Sequence, residues 1–82
     1  DLIVEVVSPG DRSDDVADKR QEWLAAGAQL VWVVLPIQRE VYAYPAGGGC
    51  RVFGPADVLT ADPVLPDFRV PVADLFPVTG TP

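Results

Sequence analysis

The sequence predicts an α+β, or mixed α/β, fold in which a sheet carries a flanking helix and C-terminal β-hairpins. Residues 2–7, apolar apart from Glu5, and the continuous apolar run at residues 30–35 are typical of strands covered on both faces. Between them, residues 13–26 have the spacing of an amphipathic helix. Beyond residue 36, short alternating segments are separated by turns rich in proline and glycine, as in antiparallel hairpins. A strand–helix–strand unit followed by hairpins gives the predicted class.

The chain has 82 residues, enough for one domain. We place that domain at residues 1–76 and expect residues 77–82 to form a loose tail. Hydrophobic residues make up 49% of the chain, which is ample for a core. The first apolar run starts at Asp1 and methionine is absent, so we expect a C-terminal fragment of a larger domain. We also expect its core to be left open to another subunit, hence a homo-oligomer.

The residue types present exclude several kinds of site. With no histidine and one cysteine, the chain lacks the ligands of an ordinary zinc site and any Ser-His or Cys-His nucleophile pair. A metal would have to be a hard cation held by carboxylates. The lone Cys50 cannot form an internal disulfide, which favours a cytoplasmic location, and no apolar run approaches the roughly 20 residues that span a membrane. The net charge of −6 opposes unaided nucleic-acid binding.

The first strand contains the sharpest candidate for chemistry. Glu5 shares a strand face with Ile3 and Val7, so its carboxylate points where an apolar side chain is expected. Charged side chains are rarely buried without a partner or a cation. The alternative is a strand end near solvent, with Glu5 simply ion-paired. Asp1 lies on the same face but ~13 Å away at ~3.3 Å per residue, too far to share one ion, so we expect it to cap or pair locally.

The helix is predicted to begin with Ser13 as its N-cap and to stop at Gly27. Its inward stripe should consist of Val16, Ala17, Trp23 and Leu24. Lys19 lies at the margin of this stripe, and the folded helix should bring it to the end of the first strand, where it could stabilise a developing phosphoryl charge. Two alternatives stay open. The Lys19 stem could cover the stripe while its head reaches solvent, and Arg20, nearer the stripe centre, could serve the site instead.

Residues 30–35 predict a buried strand, residues 36–39 a turn and residues 40–44 a half-exposed antiparallel strand. Residues 45–49 predict a glycine-rich loop and residues 51–53 its returning strand. Residues 57–59 and 68–70 predict two more short strands, and residues 72–76 a closing helical turn. The glycine run lacks the Lys-Ser/Thr pair and the following helix of a phosphate-binding loop. It therefore indicates a plain turn.

Two stretches resemble the Uma family of restriction-endonuclease-like proteins: DLIVEVVSPGDRSDDVADKRQEWLAAGAQLVWVVLP and DVLTADPVLPDFRVPVADLF. This bacterial family lies in the PD-(D/E)XK nuclease superfamily and was first catalogued as a domain of unknown function. The positions that match its pattern are Asp1, Glu5, Ser8, Pro9, Asp15, Lys19, Gly27, Trp32 and Pro36. The chain departs from the pattern at Trp23, usually Tyr, at Leu35, usually Asp, and at Arg20, usually apolar.

The resemblance implies a restriction-endonuclease-like core and a phosphodiesterase site that uses Mg²⁺ (or Mn²⁺) to hydrolyse DNA. Glu5 would bind the metal, and Glu5 and Lys19 would be the catalytic residues. Val7 stands where the superfamily has its usual lysine, and Lys19 resembles a migrated replacement. The other metal-binding aspartate should belong to an upstream strand. The predicted function is therefore a divalent-metal-dependent endonuclease domain that is incomplete in this chain.

The acidic charge and the missing aspartate favour an alternative from another class, a non-catalytic protein-interaction domain that retains the nuclease fold. A β-rich small-molecule binder is a third possibility, but no polar constellation supports it.

Overall fold

A computed structural model describes residues 1–76 of the chain. The elements are, in order, β1 (Leu2–Val6), α1 (Ser13–Ala25), β2 (Leu30–Leu35), β3 (Glu40–Pro45), β4 (Arg51–Phe53), β5 (Val58–Ala61), β6 (Leu65–Pro71) and a closing 3₁₀ turn (Val72–Leu75). This arrangement confirms the α+β class and the order of the predicted elements. The predicted tail, residues 77–82, lies outside the described residues.

The strands form a four-stranded sheet of order β1-β2-β3-β4 and a separate β5-β6 hairpin. β1 and β2 are parallel, joined through α1, whereas β2, β3 and β4 are successively antiparallel. A parallel pair needs a crossover connection, and α1 provides it. The last two strands are longer than predicted, because pairing in β6 extends from Leu65 to Pro71 across an irregularity at Thr60 and Ala61.

The main core lies on the sheet face opposite the helix. Alternate residues of β2, β3 and β4 pack there against the β5-β6 hairpin and the 3₁₀ turn, namely Leu30, Trp32, Val34, Val41, Ala43, Phe53, Leu59, Ala61 and Val72. Because strand side chains alternate between faces, Val31 and Val33 of β2 point to the other side, toward α1. The sheet therefore separates a core layer from a helix layer.

The start of α1 differs from the prediction that Ser13 is its N-cap. Ser13 is the first helical residue, and Arg12 occupies the cap position with φ −88° and ψ 140° and without a side-chain cap hydrogen bond. The preceding turn explains the shift: the Ser8 N–H donates to Oδ2 of Asp11 at 2.8 Å, and the Asp11 N–H donates to the Ser8 carbonyl at 2.9 Å. This closed turn delivers the chain to the helix one residue early.

The end of α1 is as predicted. Gly27 has φ 103°. Its N–H donates to the Leu24 carbonyl at 3.1 Å, and the Ala28 N–H donates to the Trp23 carbonyl at 3.0 Å. This is the hydrogen-bond pattern of a Schellman motif, in which glycine supplies the left-handed residue. Within the described residues, no helix is long and apolar enough to span a membrane.

Two expectations about burial are wrong for the described part of the chain. β1 was expected to be covered on both faces, but it pairs only with β2 and leaves Val4 50% and Val6 60% exposed, because the hairpin covers β2 to β4 and not the sheet edge. Trp23 was expected to be buried in the helix stripe, but it is 41% exposed. Its side chain reaches over the edge strand, where no further element in residues 1–76 covers it.

Candidate functional site

A cleft of about 590 Å³ lies between the C-terminal end of β1, the following loop and α1. Both sequence-predicted site residues, Glu5 and Lys19, line it. The remaining lining residues are Val6, Val7, Gly10, Asp11, Arg12, Asp15, Val16, Asp18 and Glu22. Residues from the strand and from the helix, distant in sequence, thus meet at one cleft.

The pleat of β1 turns Glu5 toward α1. Glu5 pairs in register with Val33 of β2 and lies on the same sheet face. The Glu5 side chain is half-buried, and its Oε1 accepts a hydrogen bond from the indole N–H of Trp23, with 2.7 Å between Nε1 and Oε1. Among the described residues Glu5 forms no salt bridge. The partner that its carboxylate requires is therefore an indole donor, and the simple ion-pair alternative is not found.

Lys19 is exposed and projects from the same side of α1 as Asp15 and Trp23, which lie one turn before and one turn after it. Within residues 1–76 no salt bridge holds its ammonium group. Its position at the cleft agrees with the expectation that the helix brings it to the end of β1. A mobile, solvated ammonium there can contact an anion that enters the cleft.

Arg20, the alternative to Lys19, points elsewhere. Its guanidinium lies over the ring of Tyr44 on β3, with Cζ 4.2 Å from the ring centroid, and its Nε is buried without a hydrogen-bond partner in the described residues. Arg20 lines a second, smaller cavity of about 340 Å³, together with Leu35 and Tyr42. The two candidate cations therefore serve different places, and Lys19 is the one at the Glu5 cleft.

Burial raises the pKa of Tyr44, and a hydrogen bond and charge interaction with Cys50 raise it further. The positive charge of Arg20 acts in the opposite direction and lowers the pKa. The Tyr44 hydroxyl is therefore uncharged at neutral pH. The face of its ring makes a cation–π interaction with the Arg20 guanidinium.

Asp1 does not line the cleft. Its backbone carbonyl accepts hydrogen bonds from the N–H groups of Gln29 and Leu30, at 3.0 and 3.2 Å. These are backbone contacts to distant residues, and within residues 1–76 the Asp1 carboxylate has no hydrogen bond or salt bridge, so the expected local pairing of its side chain is not found, although Asp1 does lie apart from the cleft.

The resemblance implies a divalent metal. The cleft offers the right type of ligand for it, but among the described residues too few ligands converge on one point. Glu5 offers carboxylate oxygens, which Mg²⁺ and Mn²⁺ prefer. Across residues 1–76, however, no three His, Cys, Asp or Glu side chains converge on a point that could hold a metal ion. The described residues thus supply one suitable ligand, Glu5, and not a complete metal site.

The Uma2 family, described as "Putative restriction endonuclease", matches residues 1–73. The chain belongs to the Uma2 family. No curated protein matches the chain.

Among solved structures, the chain is similar to a crystal structure at 1.96 Å resolution of a putative nuclease belonging to DUF820 from Anabaena variabilis ATCC 29413. The TM-score is 0.81 at 22% sequence identity, over 92% of this chain and 42% of that chain. This similarity confirms the restriction-endonuclease-like fold expected from the resemblance. The Uma2 chain described here spans less than half the length of that protein.

Sequence reasoning expected Glu5 and Lys19 to lie near each other, as they do at this cleft, but it placed Trp23 in the core and did not expect its hydrogen bond to Glu5. The two partners of this hydrogen bond are 18 residues apart. One signal was present: Trp23 lies one turn after Lys19, on the side of the helix that meets the cleft.

Proposed function

We propose that this Uma2 chain is part of a divalent-metal-dependent endonuclease domain that hydrolyses DNA phosphodiester bonds. In this proposal Glu5 is a ligand to Mg²⁺ (or Mn²⁺), and Lys19 is the cation beside the scissile phosphate. The observation that carries the proposal is the shared cleft: a half-buried strand carboxylate and an exposed helix ammonium line the same 590 Å³ space in a chain with a nuclease-family match.

The chemistry divides between the two residues. A bound divalent cation lowers the pKa of a water and shields phosphate charge. Glu5 contributes a negatively charged oxygen ligand whose orientation is limited by its hydrogen bond to Trp23. Lys19 contributes a flexible positive charge that approaches a phosphate oxygen and stabilises the charge that develops there. The cleft also holds the carboxylates of Asp15 and Glu22, which repel a polyanion. The positive charges of the bound metal ion and of Lys19 are therefore needed for DNA to enter it.

Metal binding tests the role of Glu5. In calorimetry of the full-length protein, Mn²⁺ or Mg²⁺ should bind, and Glu5→Ala should abolish the binding. Glu22→Ala is a matched control, because it removes another carboxylate of the same cleft and should leave a clear binding signal. Undiminished metal binding by the Glu5 variant would sink the assignment.

Plasmid nicking tests the role of Lys19 against that of Arg20. The full-length protein with Mg²⁺ should nick supercoiled plasmid, Lys19→Met should lower the rate by a factor of roughly 100 or more, as expected for loss of a charge that stabilises a transition state, and Arg20→Met should retain most activity. The reverse ranking would assign the role to Arg20.

A non-catalytic interaction domain that keeps the nuclease fold is the second candidate. The net charge of −6 and the lack of a three-ligand cluster in residues 1–76 favour it. It predicts no nicking by the wild-type protein at any Mg²⁺ or Mn²⁺ concentration.

Self-association is part of the same proposal. Val4 and Val6, exposed on the edge strand, support it because they leave apolar surface beside unpaired strand backbone. Light scattering of the full-length protein should give the mass of an oligomer, and a Val6→Lys variant should shift it to the monomer.

A further inference from the structure

We infer that Trp23 is a positioning residue for Glu5: its indole N–H holds Oε1 and so fixes the orientation of the carboxylate that would bind the cation. The inference rests on the proposed function, because it assigns Trp23 a task at the metal-binding carboxylate. It concerns a residue that the sequence pattern alone places in the core.

The hydrogen bond between Trp23 and Glu5 is short and has a fixed direction. Nε1 and Oε1 are 2.7 Å apart, which is short for an N–H···O bond and typical of one that ends on a charged oxygen. Indole is a donor only, so this bond cannot reverse its polarity. Of the two Glu5 oxygens, only Oε1 has a hydrogen-bond partner in the described part of the chain. The bond therefore makes the two oxygens inequivalent.

The backbone of Trp23 is held by the hydrogen bonds that end α1. The carbonyl of Trp23 accepts the Ala28 N–H at 3.0 Å within the Schellman motif that ends α1. The residue is thus anchored by its backbone at the helix end while its side chain reaches Glu5 on β1. Lys19 lies one turn earlier on the same helix side, so the helix that Trp23 ties to Glu5 is also the one that carries Lys19.

Trp23 is much more exposed than the core tryptophan, Trp32. A tryptophan that serves only to pack the core is buried, as Trp32 is with 6% exposure, whereas Trp23 is 41% exposed. The Nε1 of Trp32 is buried without a partner in the described residues, while that of Trp23 is committed to a carboxylate. The two tryptophans thus differ in task, and the polar end of Trp23 is the functional end.

Hydrogen bonds to a metal-binding carboxylate fix its orientation and its basicity, and their removal costs roughly 10- to 100-fold in metal affinity. The Trp23 bond lies partly in solvent, so we expect about tenfold, the low end of that range. Trp23→Phe removes the donor and keeps an aromatic ring. Trp23→Tyr keeps an aromatic donor and should recover part of the affinity.

A spectroscopic readout tests the bond itself, independently of activity. In a ¹H–¹⁵N spectrum of the full-length protein, the indole signal absent from Trp23→Phe belongs to Trp23. That signal should lie downfield, as hydrogen-bonded N–H protons do, and should move upfield in Glu5→Ala while the other indole signals stay in place. An unmoved Trp23 signal overturns the inference, whatever the metal does.

Mn²⁺ affinity of the full-length protein tests the consequence. Trp23→Phe should bind about tenfold more weakly than wild type, Trp23→Tyr should lie between them, and Gln21→Ala, an exposed change on the same helix, should match wild type. Circular dichroism checks that each variant is folded. Equal affinity of wild type and Trp23→Phe, with binding lost in Glu5→Ala, overturns the positioning role and leaves the proposed function standing. Loss of Mn²⁺ binding in none of the variants, Glu5→Ala included, overturns both.

Discussion

The guanidinium of Arg20 lies over the ring of Tyr44, with its Cζ 4.2 Å from the ring centroid. This contact joins the middle of α1 to β3, two strands away from the edge strand that carries Glu5. It gives Arg20 a structural task, whereas Lys19 lies exposed at the cleft. The helix, which buries no side chain completely, is thus held on the sheet partly by the Arg20–Tyr44 and Trp23–Glu5 contacts.

The Arg20–Tyr44 contact should contribute a measurable coupling to stability. In a double-mutant cycle of Arg20→Met and Tyr44→Leu, urea unfolding should give a coupling free energy of about 0.5–1 kcal/mol, the usual size of a partly exposed cation–π contact. Arg39→Met in place of Arg20→Met is the control, because Arg39 lies in the turn before β3 and should be additive with Tyr44→Leu within about 0.5 kcal/mol. Full additivity of the Arg20 pair would contradict the contact.

The ionisation of Tyr44 should be displaced to alkaline pH. The difference in ultraviolet phenolate absorbance between wild type and Tyr44→Phe isolates this residue, and its midpoint should lie above 10.0, the ordinary pKa of tyrosine, because burial raises it. Arg20→Met should move the midpoint further upward, since the Arg20 charge lowers the pKa. A midpoint at or below the ordinary value would contradict the burial of the hydroxyl.

The same shift fixes the sign of a stability effect. The folded-state pKa is above the unfolded value, so the contribution of Tyr44 is fully present below pH 10.0 and is lost as the pH rises through the folded pKa. Chemical denaturation on both sides of that range should show a smaller alkaline loss in Tyr44→Phe than in wild type.

The glycine that ends α1 should resist substitution for backbone reasons alone. Gly27 has φ +103°, and a Cβ there would meet no heavy atom within 4 Å. Gly27→Ala should therefore lower the free energy of unfolding by about 1–2 kcal/mol through backbone strain. Gly47→Ala is the matched control, because its Cβ would also meet nothing within 4 Å and its φ is not positive. Equal effects of the two changes would contradict the strain argument.

The β5-β6 hairpin should be held to the sheet by a few fully buried side chains. Leu59 is 0% exposed, so Leu59→Ala should lower the free energy of unfolding by about 2–5 kcal/mol. Leu65 on the partner strand is 43% exposed, and Leu65→Ala should cost clearly less. Thermal unfolding of the two variants compares the same chemical change at a buried and at an exposed position.

Much of this fold could be predicted because the apolar periodicity is strong. The continuous run in β2 and the alternation of Val41 and Ala43 with Tyr42 and Tyr44 in β3 encode burial directly, and the structure has those faces. Gly27 marks the end of the helix because few other residues adopt its φ. These signals depend only on residues that are close in sequence, so the packing of distant elements does not change what they predict.

The errors came from features that depend on distant residues. A strand with apolar residues on both faces can be central or at an edge, and its sequence does not tell which, so the exposure of Val4 and Val6 was missed. The N-cap was misplaced because the hydrogen bonds of the Ser8–Asp11 turn decide where the chain enters α1. The Trp23–Glu5 bond depends on how the helix packs against β1, and the position of Trp23 one turn after Lys19 indicates the correct helix side but not the partner.

The alternation of β2 has a practical consequence for genetics. Trp32 and Val34 face the hairpin core, whereas Val33 faces the helix and the cleft side, so the strand serves two unrelated tasks with interleaved residues. Substitutions of Glu5, Lys19 or Trp23 leave the hairpin core untouched, because none of them is among its residues. A library that varies these three positions, proline and glycine left out because both are unfavourable inside a helix or a strand, should therefore keep the hairpin core intact, and circular dichroism of its inactive members should separate loss of chemistry from misfolding.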